Sequence, residues 1–155
     1  MLDKIDKQLL AHIQEDSSRS VSDIAQAIPL STTPCWRRLQ RLQKDGYIRK
    51  QVALLDANLL NLAVTVFVEI RVPAHSPSWL AKFSEFTRSS NEIVEVYRLS
   101  GHADYLLKAV VPDVAAFDSL YKLLIARLDL ADVRSAFAME TIKCTTALPL
   151  DYADR

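Results

Sequence analysis

The 155 residues are half apolar and carry no net charge, so the chain can bury a real core in one ordinary domain or two small ones. No apolar run approaches the ~20 residues of a membrane helix, and two cysteines, Cys35 and Cys144, are too few for a disulfide framework. The charge is uneven: residues 1–50 hold nine Lys/Arg against six Asp/Glu, so only the first part suits a polyanionic partner.

Asp3 can cap a first helix, in which Ile5, Leu9 and Ile13 recur every four residues and Leu10 widens the stripe. The polar run from Glu15 to Arg19 ends it. Ser20 can cap a second, short helix with Val21, Ile24, Ala25 and Ile28 on its buried face, and Pro29 stops it. A third helix follows at once. Ser31 offers its hydroxyl as a cap, Pro34 lies in the first turn, and Gly46 supplies the left-handed residue after the end. Cys35, Leu39 and Leu42 share its buried face, whereas Thr33, Arg37, Gln40, Arg41 and Lys44 point away. That outward face has hydroxyls at its start and three positive charges beyond them, which suits a DNA groove and its phosphates. Two short helices joined by a tight turn, the second one basic, describe a helix-turn-helix, here winged-helix-like. Tyr47 to Leu55 reads as an extended arm, and Asp56 to Leu62 as a tether with turn-tolerant Asn58 and Asn61.

The period then changes. Val64, Val66, Val68, Ile70 and Val72 alternate with polar residues, which marks a strand ended by Pro73 and Pro77. Trp79, Phe83, Phe86 and Thr87 have helical spacing, with Leu80 beside them. Ile93–Leu99 and Tyr105–Val111 form a hairpin around the turn from Ser100 to Asp104. Asp113 caps a helix striped by Val114, Phe117, Leu120, Tyr121, Leu124 and Leu128, and Val133–Cys144 is a long last strand. The order is βαββαβ, so the whole chain is α+β: a helical DNA-binding domain over 1–50, an arm and tether over 51–62, and a ferredoxin-like domain over 63–155. Its strands carry apolar residues at both parities, such as Val64 and Val66 against Ala63 and Phe67, and Phe137 and Met139 against Ala136, Ala138 and Ile142. Helices cover only one face of such a sheet, so a second copy is the simplest cover for the other, and a homodimer through this domain is expected.

In this arrangement the chain resembles the leucine-responsive/asparagine-activator (Lrp/AsnC) family of transcriptional regulators. The resemblance rests on Leu2-Asp3-Lys4-Ile5-Asp6, on Leu30 to Leu39, on Gly46-Tyr47-Ile48, on Gly101-His102-Ala103-Asp104-Tyr105, on Ser135 to Lys143 and on Thr145 to Pro149, and covers nearly the whole chain. It implies binding to double-stranded DNA, an amino-acid effector, and dimers that assemble further, often into octamers. The recognition-helix opening and Phe137-Ala138-Met139 look most like the branch associated with sulfur amino acids. The chain departs from the family pattern at Ala57 and Asn91, where proline is usual, and at Asn61, where glycine is usual; asparagine still tolerates the left-handed conformation.

The expected DNA-binding residues are Ser31, Thr32, Thr33, Pro34, Arg37, Arg38, Arg41 and Lys44. Arg38 suits either a phosphate or an acidic residue of its own domain, and Trp36 is expected to pack half-buried against the first helix. For the effector the turn is the candidate: Leu99, Gly101, His102, Ala103, Asp104 and Tyr105, with Ser135 as a wall. Backbone N–H groups of a tight turn can hold an α-carboxylate, and Asp104 can receive an α-ammonium. Gly101 and Asp104 also suffice simply to make a turn; the family resemblance favours binding. His12 and His75 read as surface positions, and both cysteines as reduced, buried thiols. No zinc spacing, catalytic triad, phosphate loop or dinucleotide fingerprint occurs, so no metal, cofactor or enzymatic activity is expected. The amino terminus, Met-Leu-Asp-Lys, lacks a signal-peptide pattern, and a cytoplasmic location is expected. Two readings compete with a regulator: a metabolite-binding subunit acting on an enzyme, which the basic helix disfavours, and a small enzyme, which the missing constellation disfavours.

Overall fold

In the computed structural model, which describes residues 1–153, Asp3 and Ser20 begin their helices by the same device. Each side chain accepts the N–H three residues on, from Asp6 and Asp23, and those carboxylates accept the cap residue's own N–H in return. Helices α1 (Lys4–Glu15) and α2 (Val21–Ala27) follow. Helix α3 (Thr32–Lys44) starts without such help: Ser31 stands at the cap position, but its hydroxyl makes no capping bond, contrary to expectation. Gly46 closes α3 at a φ of +83°, and the Tyr47 N–H reaches back to the Leu42 carbonyl. The three helices pack Leu2, Leu9, Leu10, Ile24, Ala25, Ile28, Cys35, Leu39 and Leu42 into one core. No wing strand follows among the described residues, and Val52, Leu54 and Leu55 stand exposed.

The chain divides into two compact units, Met1–Leu54 with the residues from Ile142 onward, and Leu55–Thr141. This differs from the expected boundaries. The last strand, β4 (Asp132–Phe137), ends well short of Cys144, and the chain then returns to the first unit. There Gln14 of α1 donates from Nε2 to the Leu148 carbonyl at 3.0 Å, and its Oε1 accepts the Leu148 N–H at 2.9 Å. Leu150, in a short 3-10 turn (Leu150–Tyr152), packs against the helical core. Cys144 is therefore exposed and outside any strand, whereas Cys35 is buried as expected.

The second unit opens with a compact turn. The Leu62 N–H bonds the Ala57 carbonyl, and Asn61 adopts the left-handed φ of +57°. Strands β1 (Val64–Arg71), β2 (Ile93–Arg98), β3 (Tyr105–Val111) and β4 form one antiparallel sheet in the order β2-β3-β1-β4. With α4 (Pro77–Ser89) and α5 (Val114–Arg127) this is the βαββαβ arrangement, β1 lying between β3 and β4. Both helices contribute to one core: Val66, Val68, Ile70, Tyr105, Leu107, Ala109 and Val111 from the sheet meet Trp79, Phe83, Phe86, Phe117, Leu120 and Leu124. Val114, expected in that stripe, is exposed and is the first residue of α5. Alternation leaves Thr65, Phe67, Glu69 and Arg71 of β1 on the opposite face, opposite Val110, Lys108 and Leu106 of β3 and Ala136 and Arg134 of β4. Phe67 is 37 % exposed on that face.

Candidate nucleic-acid interface and ligand turn

At 3.6 residues per turn, the side of α3 opposite Cys35, Leu39 and Leu42 is centred on Thr33, Arg37 and Lys44, with Gln40 beside them. All four are exposed, as are Ser31, Thr32 and Pro34 at the helix start. The freed Ser31 hydroxyl and those of Thr32 and Thr33 have no hydrogen-bond partner among the described residues, and neither Arg37 nor Lys44 has an ion-pair partner there. The helix start thus presents unsatisfied backbone N–H groups, three hydroxyls and two uncompensated cations on one exposed face, a set suited to phosphates and base edges. Trp36 is 52 % exposed, on the rim of a cleft of about 160 Å³ that Ile13 of α1 also lines.

Arg38 and Arg41 belong to a different set. Asp6, 1 % exposed, is the one buried charged side chain among the described residues. Arg38 Nη1 donates to Asp6 Oδ1 at 2.8 Å and to Asp3 Oδ2 at 2.5 Å, and Arg41 Nη2 lies 2.5 Å from Asp6 Oδ2. The Asp3 N–H adds a bond to Asp6 Oδ2 at 3.1 Å. The Arg38 guanidinium holds the Asp3 carboxyl below the usual carboxylate range, and the two carboxylates raise Arg38 in turn. The choice for Arg38 thus resolves toward its own domain, and Arg41, expected to point freely outward, turns toward α1. The signal for this was in the sequence. Leu2, Asp6, Leu9, Leu10 and Ile13 lie on one helical stripe, and a carboxylate on a buried stripe demands a cation.

In the second unit the turn between β2 and β3 brings Leu99, Gly101, His102, Ala103, Asp104 and Tyr105 together. The Leu99 N–H bonds the Asp104 carbonyl, and the Asp104 N–H bonds the Ile70 carbonyl. The N–H groups of Ser100, Gly101, His102 and Ala103 have no partner among the described residues. Gly101 has a φ of +148°, which disfavours any side chain although a Cβ would meet nothing within 4 Å. Asp104 is more committed than expected. Its Oδ2 accepts the Val72 N–H at 2.8 Å, and Oδ1 lies 3.1 Å from His75 Nε2. The Val72 bond, with His75 beside it, holds the Asp104 carboxyl below its ordinary value. His75, expected as plain surface, is thus part of the turn's surroundings; no periodicity pointed to it. Tyr105 and Ala103 are buried, so they support the turn from beneath. Ser135 is not brought to it within one chain: it lies on β4, paired with Val68 of β1, and β1 separates it from the hairpin.

The gap inside the second core, among Val68, Phe86, Leu107, Phe117 and Leu124, measures about 10 Å³, room for at most a water. Among the described residues there is no group of His, Cys, Asp and Glu that could hold a metal, and no helix long and apolar enough to cross a membrane.

Two known domain patterns match the chain in order. Residues 2–43 match the AsnC-type helix-turn-helix domain, and residues 65–148 match the Lrp/AsnC ligand binding domain. The DNA-binding transcriptional activator DecR of Escherichia coli is 43 % identical over 152 residues, covering 97 % of this chain and all of that protein. The glutamate uptake regulatory protein of Zymomonas mobilis is 42 % identical, covering 99 % of this chain and 96 % of that one. A crystal structure of an AsnC family transcriptional regulator from Agrobacterium tumefaciens is 55 % identical, with a TM-score of 0.92 over 97 % of this chain and 99 % of that one. A transcriptional regulator from Neisseria meningitidis, solved as a complex with L-methionine, is 30 % identical, with a TM-score of 0.94 over 99 % of both chains. With a helix-turn-helix unit and a ligand-binding unit matched in order along nearly its whole length, this chain belongs to the Lrp/AsnC family of transcriptional regulators.

Proposed function

We propose that this regulator meets DNA through Ser31, Thr32, Thr33, Pro34, Arg37 and Lys44 and binds a free amino acid at the turn from Leu99 to Tyr105. The observation that carries the effector reading is the row of four unpartnered N–H groups from Ser100 to Ala103. They can cradle an α-carboxylate, while the outer lone pairs of Asp104, and His75 beside it, meet the ammonium side. The methionine complex of the Neisseria meningitidis relative supports an amino acid, and a sulfur-containing one first among the candidates. Copies pair through the open sheet face around Phe67, and dimers assemble further, to an octamer, in the cytoplasm. Ser135 then becomes a wall of the site from a neighbouring copy rather than from its own chain.

The test is a thermal-shift screen against the twenty amino acids, followed by calorimetry on the wild type and on Gly101→Val. An effector at 100 times its Kd should raise stability by about 2.7 kcal/mol, and Gly101→Val should abolish that gain by distorting the turn. If one amino acid stabilises both proteins equally, the effector site lies elsewhere.

A further inference from the structure

Two of the four cations on α3 turn to one carboxylate of α1, Asp6, whose capping role needs only the Asp3 N–H. A buried carboxylate persists only where it is paired and hydrogen-bonded, because desolvation otherwise outweighs its burial. Asp6 meets that condition through three donors: the Asp3 N–H, Arg38 and Arg41. Arg38 and Arg41 stand three residues apart on α3 and so share one side of it. They straddle the same carboxylate, one on each oxygen. The apolar contacts between α1 and α3 are non-directional and let a helix roll or slide by small amounts. Charge-assisted hydrogen bonds are directional and do not.

We propose that Asp6 is a positioning residue for DNA recognition: it fixes the roll of α3 through Arg38 and Arg41 and removes both from the DNA-contacting set. This rests on the reading that α3 faces DNA. It follows that the base edges and phosphates are met by the hydroxyl-bearing start of the helix with Arg37, Gln40 and Lys44. Arg41 keeps 48 % of its side chain exposed, yet its charge is already balanced by Asp6. A phosphate that approached it would gain little, since counterion release counts only the cations that DNA newly neutralises.

The experiment uses the full chain and a duplex selected by the wild type from a random-sequence pool, with a scrambled duplex of equal length as reference. Affinities are measured across a salt series for the wild type, Lys44→Ala, Arg37→Ala, Arg41→Gln and Asp6→Asn. Arg37→Ala should weaken binding to the selected duplex about tenfold or more, and Lys44→Ala should make the salt slope shallower by about 0.9. Wild-type behaviour by both would sink the reading that α3 faces DNA, independently of the clamp. Arg41→Gln should leave the salt slope unchanged and lower the preference for the selected duplex. Asp6→Asn should steepen the slope by up to about 0.9, as the Arg41 guanidinium becomes available to phosphate while Arg38 keeps Asp3. It should bind the scrambled duplex more tightly and lose about tenfold in preference, the size of one base contact misplaced. The proposal is overturned if Arg41→Gln makes the slope shallower by about one phosphate, or if Asp6→Asn matches the wild type in both slope and preference. Should Asp6→Asn fail to fold by circular dichroism, the Arg41→Gln slope still decides.

Discussion

Asp6 and Asp104 show how a single carboxylate can be committed before any ligand arrives. Each lies where the chain needs an acceptor: Asp6 for two arginines, Asp104 for the Val72 N–H. For Asp104 this carries a pH signature. Its folded pKa is depressed below 3.8, chiefly by the Val72 bond. A depressed carboxylate contributes stability that is present above the unfolded pKa and is lost as pH falls through the lower folded value. The wild type should therefore lose stability below about pH 4 in part through this group. Asp104→Asn should be less stable than the wild type at pH 7 and show a flatter decline at acid pH. Urea midpoints measured between pH 7 and pH 3 check this, and parallel acid limbs for the two proteins would refute it.

Two positions decide whether elements end where they do. Gly46 stops α3 and Asn61 closes the turn before β1, both at positive φ. Glycine at the first and asparagine at the second are legible from sequence, because few other residues tolerate that region. Replacing Asn61 with valine should cost about 1–2 kcal/mol, whereas glycine should be nearly neutral. Chemical denaturation of the two variants reads the difference directly. The helical stripes and strand alternation were equally legible, since burial of one face imposes a period of 3.6 or 2. The end of β4 was not. Apolar residues continue past Phe137 at Ala138, Met139 and Ile142, so the apolar pattern runs on, but β1 starts at Val64 and the ladder closes with the Ala138 N–H on the Thr65 carbonyl.

At the scale of the whole molecule, the chain passes between the two units twice, at Leu54–Leu55 and at Thr141–Ile142. The second passage is the less expected one. The returning segment joins the helical unit through the paired bonds between Gln14 and Leu148 and through Leu150 on the core. Deleting residues 142–155 should destabilise the helical unit by about 2 kcal/mol, from two hydrogen bonds and one half-buried leucine. Hydrogen exchange should show faster exchange at Leu9 and Leu10, with β1 amides unchanged. Equal protection of α1 with and without the segment would show that it contributes nothing.

The sequence by itself determined the elements, their order and the outward face of α3, because each follows from local periodicity, caps and glycine placement; the family came from the resemblance of its motifs. It also carried the turn around Gly101, since the glycine, the aspartate and the flanking strands are contiguous in the chain. Tertiary structure alone decided which charges remain free. Whether Arg41 meets solvent or Asp6, whether Asp104 is open or bonded to Val72, and whether residues past Thr141 belong to the sheet or to the helices are all questions about partners 30 or more residues away. Local pattern encodes which face of an element is buried, but not which distant group completes a buried charge.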